Sequence, residues 1–435
     1  MASHEPGREA DVVIVGAGVI GTAIGWQAAS RGLSVTVVDP GWGDAATDVA
    51  AGMLAPALES VFGETDLLAL NLLAVDRFPG FAAELERATG LSVGLRTEGT
   101  LAVAFDRADH DRLKRLTAFR REAGLRAQEL DARACREAEP FLAPGVHGGV
   151  LAIGDLSVDN RRYAAALRAA AAQAGVSFLP GRATRVVMRA EGGYGVHLST
   201  GAVGGPAAPG GPGDEPGQGH EGAEGHRVPG RKVVLAAGWR TGRIGGIPGY
   251  LAAAFRPVKG QILRLRHPEG MPPILTHTIR AIVRGADVYL VPRADGEVVV
   301  GATQDERDDL DVTAGAVHDL LRDAMSVLPA VSELNLAEAR AGLRPGSADN
   351  GPVVGWAEQA SLAAPGLPEP GLIVAAGHFR NGIMLSAATA DAVTSLLTGG
   401  QPAAEWKPFT PERLRAPGQT PPGPHRPGKT THQGS

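Results

Sequence analysis

Three features of the 435-residue sequence predict a mixed α/β (α+β) fold: a split dinucleotide-binding domain with an inserted, mainly antiparallel-sheet domain. The chain opens with a strand, a glycine turn, a helix and a second strand within about thirty residues. Far downstream, a buried run at 372–376 leads through GHFRNG into a helix over 382–397. Between them lie segments whose apolar residues alternate, the period of a sheet with one covered face.

DVVIV at 11–15 is nearly unbroken apolar sequence, so it reads as a strand covered on both faces, as in a parallel sheet. GAGVIG at 16–21 is the turn, 21–30 a helix ended by Gly32, and 34–38 a second buried strand closing in Asp39. An irregular stretch follows at 40–56, and helical patterns run through 67–89. Residues 93–105 have a strand pattern, and 107–123 form a charged amphipathic helix. An Ala-rich helix over 161–174 stops at Gly175 and feeds a strand at 176–179, while 184–188 and 195–199 alternate as antiparallel strands. Residues 233–237 are again a buried strand. A second sheet takes 258–265, 281–292 and 297–303, covered by a helix with Val317, Leu320, Leu321, Ala324 and Leu328 on one face.

This order assigns 10–92, 150–250 and 335–400 to the dinucleotide-binding domain, and 93–149 and 251–334 to a substrate domain. Residues 201–230 are rich in Gly, Pro, Glu and His and nearly devoid of large apolar side chains. Such a segment buries too little surface to offset its ordering entropy, which predicts a disordered insertion between two strands. The same reasoning makes 415–435 a disordered tail.

A formal net charge of -5 argues against a nucleic-acid partner, which calls for a basic surface. The single cysteine, Cys135, leaves no disulfide framework and fits a reducing compartment; its place between Arg133 and Arg136 reads as a surface or half-buried helix position. The first apolar stretch follows acidic residues and holds three glycines, unlike a signal peptide, and no run is long enough for a membrane span. These features together predict a cytoplasmic enzyme without a membrane partner.

Gly16, Gly18 and Gly21 form G-x-G-x-x-G between strand and helix. Gly16 allows the tight turn, Gly18 with Ala17 lets the backbone approach a pyrophosphate, and Gly21 lets the helix pack against the strand. Asp39 closes the next strand, 18 residues beyond Gly21, where a carboxylate meets ribose hydroxyls. An acid there disfavours NADP and leaves NAD or FAD open. Two other matches lack the required context. GPHRPGKT at 423–430 has the letters of a phosphate loop without a preceding strand, and GLSVG at 90–94 leaves a helix rather than entering one. The histidines show no metal-ligand spacing, so no metal is expected.

Further segments suit close approach of a flat cofactor: AAGMLAP at 50–56, VVLAAGW at 233–239 including Gly238, and GHFRNGI at a helix N-terminus. With VKGQ at 258–261, YLVPR at 289–293, VVVGAT at 298–303 and AGLRP at 341–345, their order resembles the glycine oxidase / D-amino-acid oxidase family of FAD-dependent amine oxidases. The resemblance runs over roughly residues 10–400 outside the insertion. It implies FAD, bound non-covalently because family members with covalent flavin use a late cysteine that is missing here. It implies that Arg344, expected in a loop, binds the substrate carboxylate, that Tyr289 donates a second hydrogen bond to it, and that the backbone carbonyl of Arg380 holds the amine. Ala51, Gly52 and Met53 would lie by the pyrophosphate and flavin, Val186 by the adenine, and Gly377, Asn381, Gly382 and Ile383 by the flavin. The implied reaction is oxidation of glycine by O2 to iminoacetate and glyoxylate with H2O2, supplying thiamine-thiazole synthesis. Sarcosine or small D-amino acids, an amino-acid dehydrogenase with another acceptor, and a non-catalytic FAD-binding protein are the rival readings. A homo-oligomer, a tetramer, is implied by the resemblance alone. Gln304 stands where some members have Met, and Trp239 with Arg240 makes the turn after 233–237 bulkier.

Overall fold

Strands without polar alternation belong inside a parallel sheet, and the structure, a computed structural model, puts them there. It describes residues 9–41, 46–56, 63–122, 124–199, 226–283, 285–357 and 371–415. Among these, the first sheet runs in the order Val353–Trp356, Leu372–Ala376, Arg227–Leu235, Ala10–Val15, Val35–Asp39, Ser177–Pro180. All neighbours are parallel except the first pair. Ala183–Met188 and Tyr194–Leu198 form an antiparallel extension from the outer part of Arg227–Leu235. Helices Val19–Ser30, Thr65–Thr89, Asn160–Gln173 and Gly382–Leu397 share one core on a face of this sheet. Gly382–Leu397 is buried nearly all round, as its polar-poor sequence demands.

The second sheet runs Asn335–Ser347, Phe255–Arg266, Glu297–Gly301, Ala286–Pro292, Thr278–Val283, Thr100–Ala104, Gly148–Ala152, Ala127–Asp131. Its pairs are antiparallel except Thr278–Val283 with Thr100–Ala104. Helix Ala314–Val327 covers its outer face through Leu320, Ala324 and Val327. No helix among the described residues is long and apolar enough to cross a membrane.

Several expectations need correction. The segment 281–292 is two strands, because Gly285 at φ 80 turns the chain back as a hairpin. The pattern over 93–105 becomes strand only at Thr100, after Gly90 caps the preceding helix at φ 71. Arg227–Gly230, read as the end of the disordered insertion, pairs with Tyr194–His197 and is strand; residues 201–225 of that insertion, the tail from 416 and the 423–430 motif lie outside the described residues. Asn335–Ser347, placed with the dinucleotide-binding domain, pairs along its length with Phe255–Arg266, so Arg344 stands in a strand, not a loop. Cys135 is fully buried beneath Gly149, and burial pushes its thiol up to about 11.

Two buried arginines join the sheets. Arg293 donates through one terminal nitrogen to the Val158 carbonyl (2.7 Å) and through the other to the Ala51 carbonyl (2.6 Å) and Asn160 Oδ1 (3.2 Å). Arg264 pairs with Glu297 and donates to the Asp48 carbonyl (3.3 Å) and the same Asn160 oxygen (3.2 Å). Burial lowers the Arg293 pKa to about 10. At the start of the last helix, His378 is buried, bonds Thr389 Oγ1 at 3.0 Å, and burial pushes it down to about 3.

Arg293→Met orphans two buried carbonyls, and the expected loss is about 2–4 kcal/mol of stability, read as a lower urea midpoint. His378 titrates lower folded than unfolded, so the unfolded chain takes the proton first. Its effect is absent above pH ~6.5 and grows by about 1.4 kcal/mol per pH unit as pH falls toward 3. His378→Gln should therefore flatten the fall of the urea midpoint between pH 6.5 and 4; an unchanged slope would refute the assignment.

Candidate active site

Where the first sheet's strands end against the second sheet, a single cleft of about 1680 Å³ opens. Its nucleotide end is set by the glycine turn. Gly16 has φ 108, and a side chain there would strike the Ala236 backbone. A Cβ on Gly21 would overlap the Gly16 carbonyl, so it packs beneath the turn without lining the cleft. The Ala17 amide donates to Asp39 Oδ2 (2.8 Å) and the Gly41 amide to Oδ1 (2.7 Å), which fixes the carboxylate at the cleft edge. The Val19 amide meets Thr47 Oγ1 at 3.1 Å, tying the loop after the second strand to the helix start.

Gly16, Ala17, Gly18, Asp39, Ala51, Gly52, Met53, Gly238, Gly382 and Ile383 all line the cleft. Val186, Gly377 and Asn381 do not. The Val186 amide is spent on the Gly245 carbonyl (2.9 Å) and its side chain lies in the core, whereas Thr184, two residues earlier, lines the cleft. Gly377, at φ 73, turns the strand end against Phe255 and Ser347. Asn381 is the N-cap of Gly382–Leu397 and makes no side-chain capping bond.

These residues fit FAD. The helix starting at Val19 is capped by Gly18, again without a side-chain bond, so two helix N-termini face the cleft. Such termini favour negative charge, which suits a pyrophosphate at one and reduced flavin at the other. Ala236, Ala237, Ala50 and Ala51 keep the walls between them thin. Cys135 does not line the cleft, and the sequence has no other thiol.

At the opposite end the second sheet brings Arg344 and Tyr289 together. Arg344 stands opposite Val258, and its guanidinium lies over Gly260, where any Cβ would overlap it. It donates to the Thr303 carbonyl (3.1 Å) and the Lys259 carbonyl (3.3 Å). Tyr289 stands opposite Gly301, and its ring lies across that glycine in the same way. The Phe379 amide donates to the Pro345 carbonyl (2.9 Å), which locks the turn holding Arg380 to the strand holding Arg344. The Arg380 side chain reaches Gln304 Oε1 at 2.6 Å, so the residue that departs from an apolar Met serves as its acceptor.

Sequence reasoning missed Thr47 and Thr184, and also Arg280 and Asp287 on the hairpin beside Tyr289. Reading 281–292 as one strand hid the last two, because only the hairpin turns Arg280 toward Tyr289.

The chain matches the DAO family model, FAD dependent oxidoreductase, over residues 11–396. It is 31% identical to glycine oxidase of Geobacillus kaustophilus over 404 residues, covering 92% of this chain and 96% of that one. It is 30% identical to the bifunctional protein ThiO/ThiG of Synechocystis over 410 residues, 93% of this chain and 54% of that protein. The crystal structure of the Geobacillus glycine oxidase is similar with a TM-score of 0.78 at 30% identity, covering 92% of this chain and 98% of that one. The match takes in both helix N-termini and the strands that carry Tyr289 and Arg344, and the chain belongs to the DAO family of FAD-dependent oxidoreductases.

Proposed function

We propose that this flavoenzyme oxidises the C–N bond of glycine with O2, giving iminoacetate, then glyoxylate and ammonia, with H2O2 as the second product. The reading is carried by one observation: Arg344 and Tyr289 lean over Gly260 and Gly301 into the same cleft that begins at Gly16. A planar guanidinium matches a carboxylate bidentately, and a phenol adds one donor beside it. The similarity to glycine oxidases supports the substrate. Supply of thiamine-thiazole synthesis is the proposed role, supported by the likeness to ThiO/ThiG.

Bound FAD supplies the two-electron acceptor. The chain's own contribution is position. Arg344 and Tyr289 hold the carboxylate, while the Arg380 carbonyl, fixed by the bond from Phe379 to Pro345, holds the amine once its ammonium proton has left. Gln304 keeps the Arg380 side chain turned to the rim. The substrate gives up two electrons and two protons across Cα–N, and these leave on O2 as H2O2; water then adds to the imine and displaces ammonia. In the cell we expect the enzyme in the cytoplasm, as a homo-oligomer.

Arg344→Ala is expected to lower kcat/KM for glycine about a hundred- to thousandfold, the size of a lost charge-assisted pair, with the flavin spectrum retained. Full turnover in that variant would remove the carboxylate assignment. Tyr289→Phe should cost about tenfold, mainly in KM, since one hydrogen bond is lost and the ring remains. Following H2O2 with glycine, sarcosine, D-alanine and D-proline tests the substrate itself, and oxygen uptake separates an oxidase from a dehydrogenase.

A further inference from the structure

Arg280 lines the cleft with Tyr289 and Arg344, and the roles given above leave it unused. Its strand, Thr278–Val283, pairs with Ala286–Pro292 so that Arg280 stands directly opposite Tyr289, whose other neighbour is Gly301. Opposed residues of an antiparallel pair share a face, with Cβ atoms about 4.5–5.5 Å apart. Tyr289 leans over Gly301, toward the strands that carry Gly260 and Arg344. Arg280 is thus on the far side of Tyr289 from Arg344, and both arginines are half-buried.

The acids lining this end are Asp287, Asp308 and Asp311. Asp287 is diagonal to Arg280 across the hairpin and exposed, and Asp308 and Asp311 are exposed as well, with Asp308 facing Arg243 at 3.9 Å. Exposed charges are screened by water and salt, whereas a half-buried guanidinium keeps more of its field. Asp287 is within reach as a solvated counter-ion that an incoming carboxylate joins or displaces.

We infer that Arg280 binds a second carboxylate of the substrate, so that the cleft favours an amino acid bearing two carboxylates over the matching compound with one. This rests on the amine-oxidase reading: the first carboxylate goes to Arg344 and Tyr289, and the second reaches past Tyr289 to Arg280. The extra acid can hang from the nitrogen or from the α-carbon, and the choice of probes distinguishes them.

On the FAD-loaded full chain, kcat/KM is compared within two pairs: N-(carboxymethyl)glycine against sarcosine, and D-aspartate against D-alanine. In at least one pair the dicarboxylate should exceed its partner by about tenfold or more, and Arg280→Gln should cut that ratio about tenfold, chiefly through KM. Arg280→Lys should restore part of it. A ratio near one in both pairs, or one that survives Arg280→Gln, overturns the inference. Succinate and acetate, which carry no amine, are titrated in parallel and followed by the flavin absorbance. Tighter binding of succinate, lost in Arg280→Gln, supports the site without any turnover. If no amine is oxidised yet succinate shows this preference, the oxidase reading fails and the Arg280 site stands. If glycine is oxidised and every ratio is flat, the oxidase reading stands and the Arg280 site fails.

Discussion

The cleft exists because two buried arginines hold the sheets at a fixed spacing. Arg293 and Arg264 reach from the second sheet to carbonyls of the loop at 48–51 and to Val158, and both meet Asn160 at the start of a helix on the first sheet. Two guanidinium groups side by side repel, and burial already costs Arg293 part of its proton affinity. Glu297 and the field of Asp159 offset this, and the carbonyls supply acceptors that water would otherwise provide. Loops are ordinarily the mobile part of such a fold. Here the clamp makes the segment Ala51–Gly52–Met53 part of a rigid wall.

The face of the second sheet that meets the first is divided by function along its strands. Because side chains alternate, Ile262, Arg264, Tyr289, Val291, Arg293, Val299 and Gly301 all point the same way. At one end Arg344, Tyr289 and Arg280 face the cleft. In the middle Ile262, Val291 and Val299 pack against Val49 and Ala51, sealing the wall with apolar contact. At the other end Arg264, Arg293 and Glu297 form the clamp. A shift of one residue in the pairing would turn all three groups outward at once, so the register is held by the whole face and not by any single contact.

The cofactor half was legible because its signals are local. A glycine turn, an acid at the end of the next strand and a small-residue strand each carry their meaning within a few residues, and helix periodicity placed the covering layer. The place of Arg344 and Tyr289 in the cleft was legible through the resemblance, although the strand that holds Arg344 looked like a loop because its Gly and Pro read as turn residues. Long pairing with Phe255–Arg266 overrides that local preference. That Thr184 lines the cleft and Val186 does not is a register question, which sequence spacing does not decide. The clamp was invisible for a different reason. Arg264, Arg293 and Asn160 are far apart in the chain, and a charged residue in a strand reads as solvent-facing until its partners are known.

The strand Phe255–Arg266 shows how the end of the cleft that holds Arg344 and Tyr289 is supported from behind. Gly260 and Ile262 face the cleft, so Lys259 and Gln261 face away from it. Lys259 is fully buried and pairs with Asp309, holding that carboxyl down to about 2, while Gln261 Oε1 accepts from the Thr313 amide at 2.8 Å. These contacts staple the loop at 304–313, which carries Gln304, Asp308 and Asp311 over the cleft. The backbone of Lys259 also accepts from Arg344 and exchanges hydrogen bonds with Asp305. Arg344 and the loop at 304–313 are thus fixed by the same residue. Arg280 stands outside this support, on the neighbouring hairpin strand at the far side of Tyr289 from Arg344. In the proposed reading, recognition of the amino-acid head falls to the supported strands and discrimination among substituents to the hairpin.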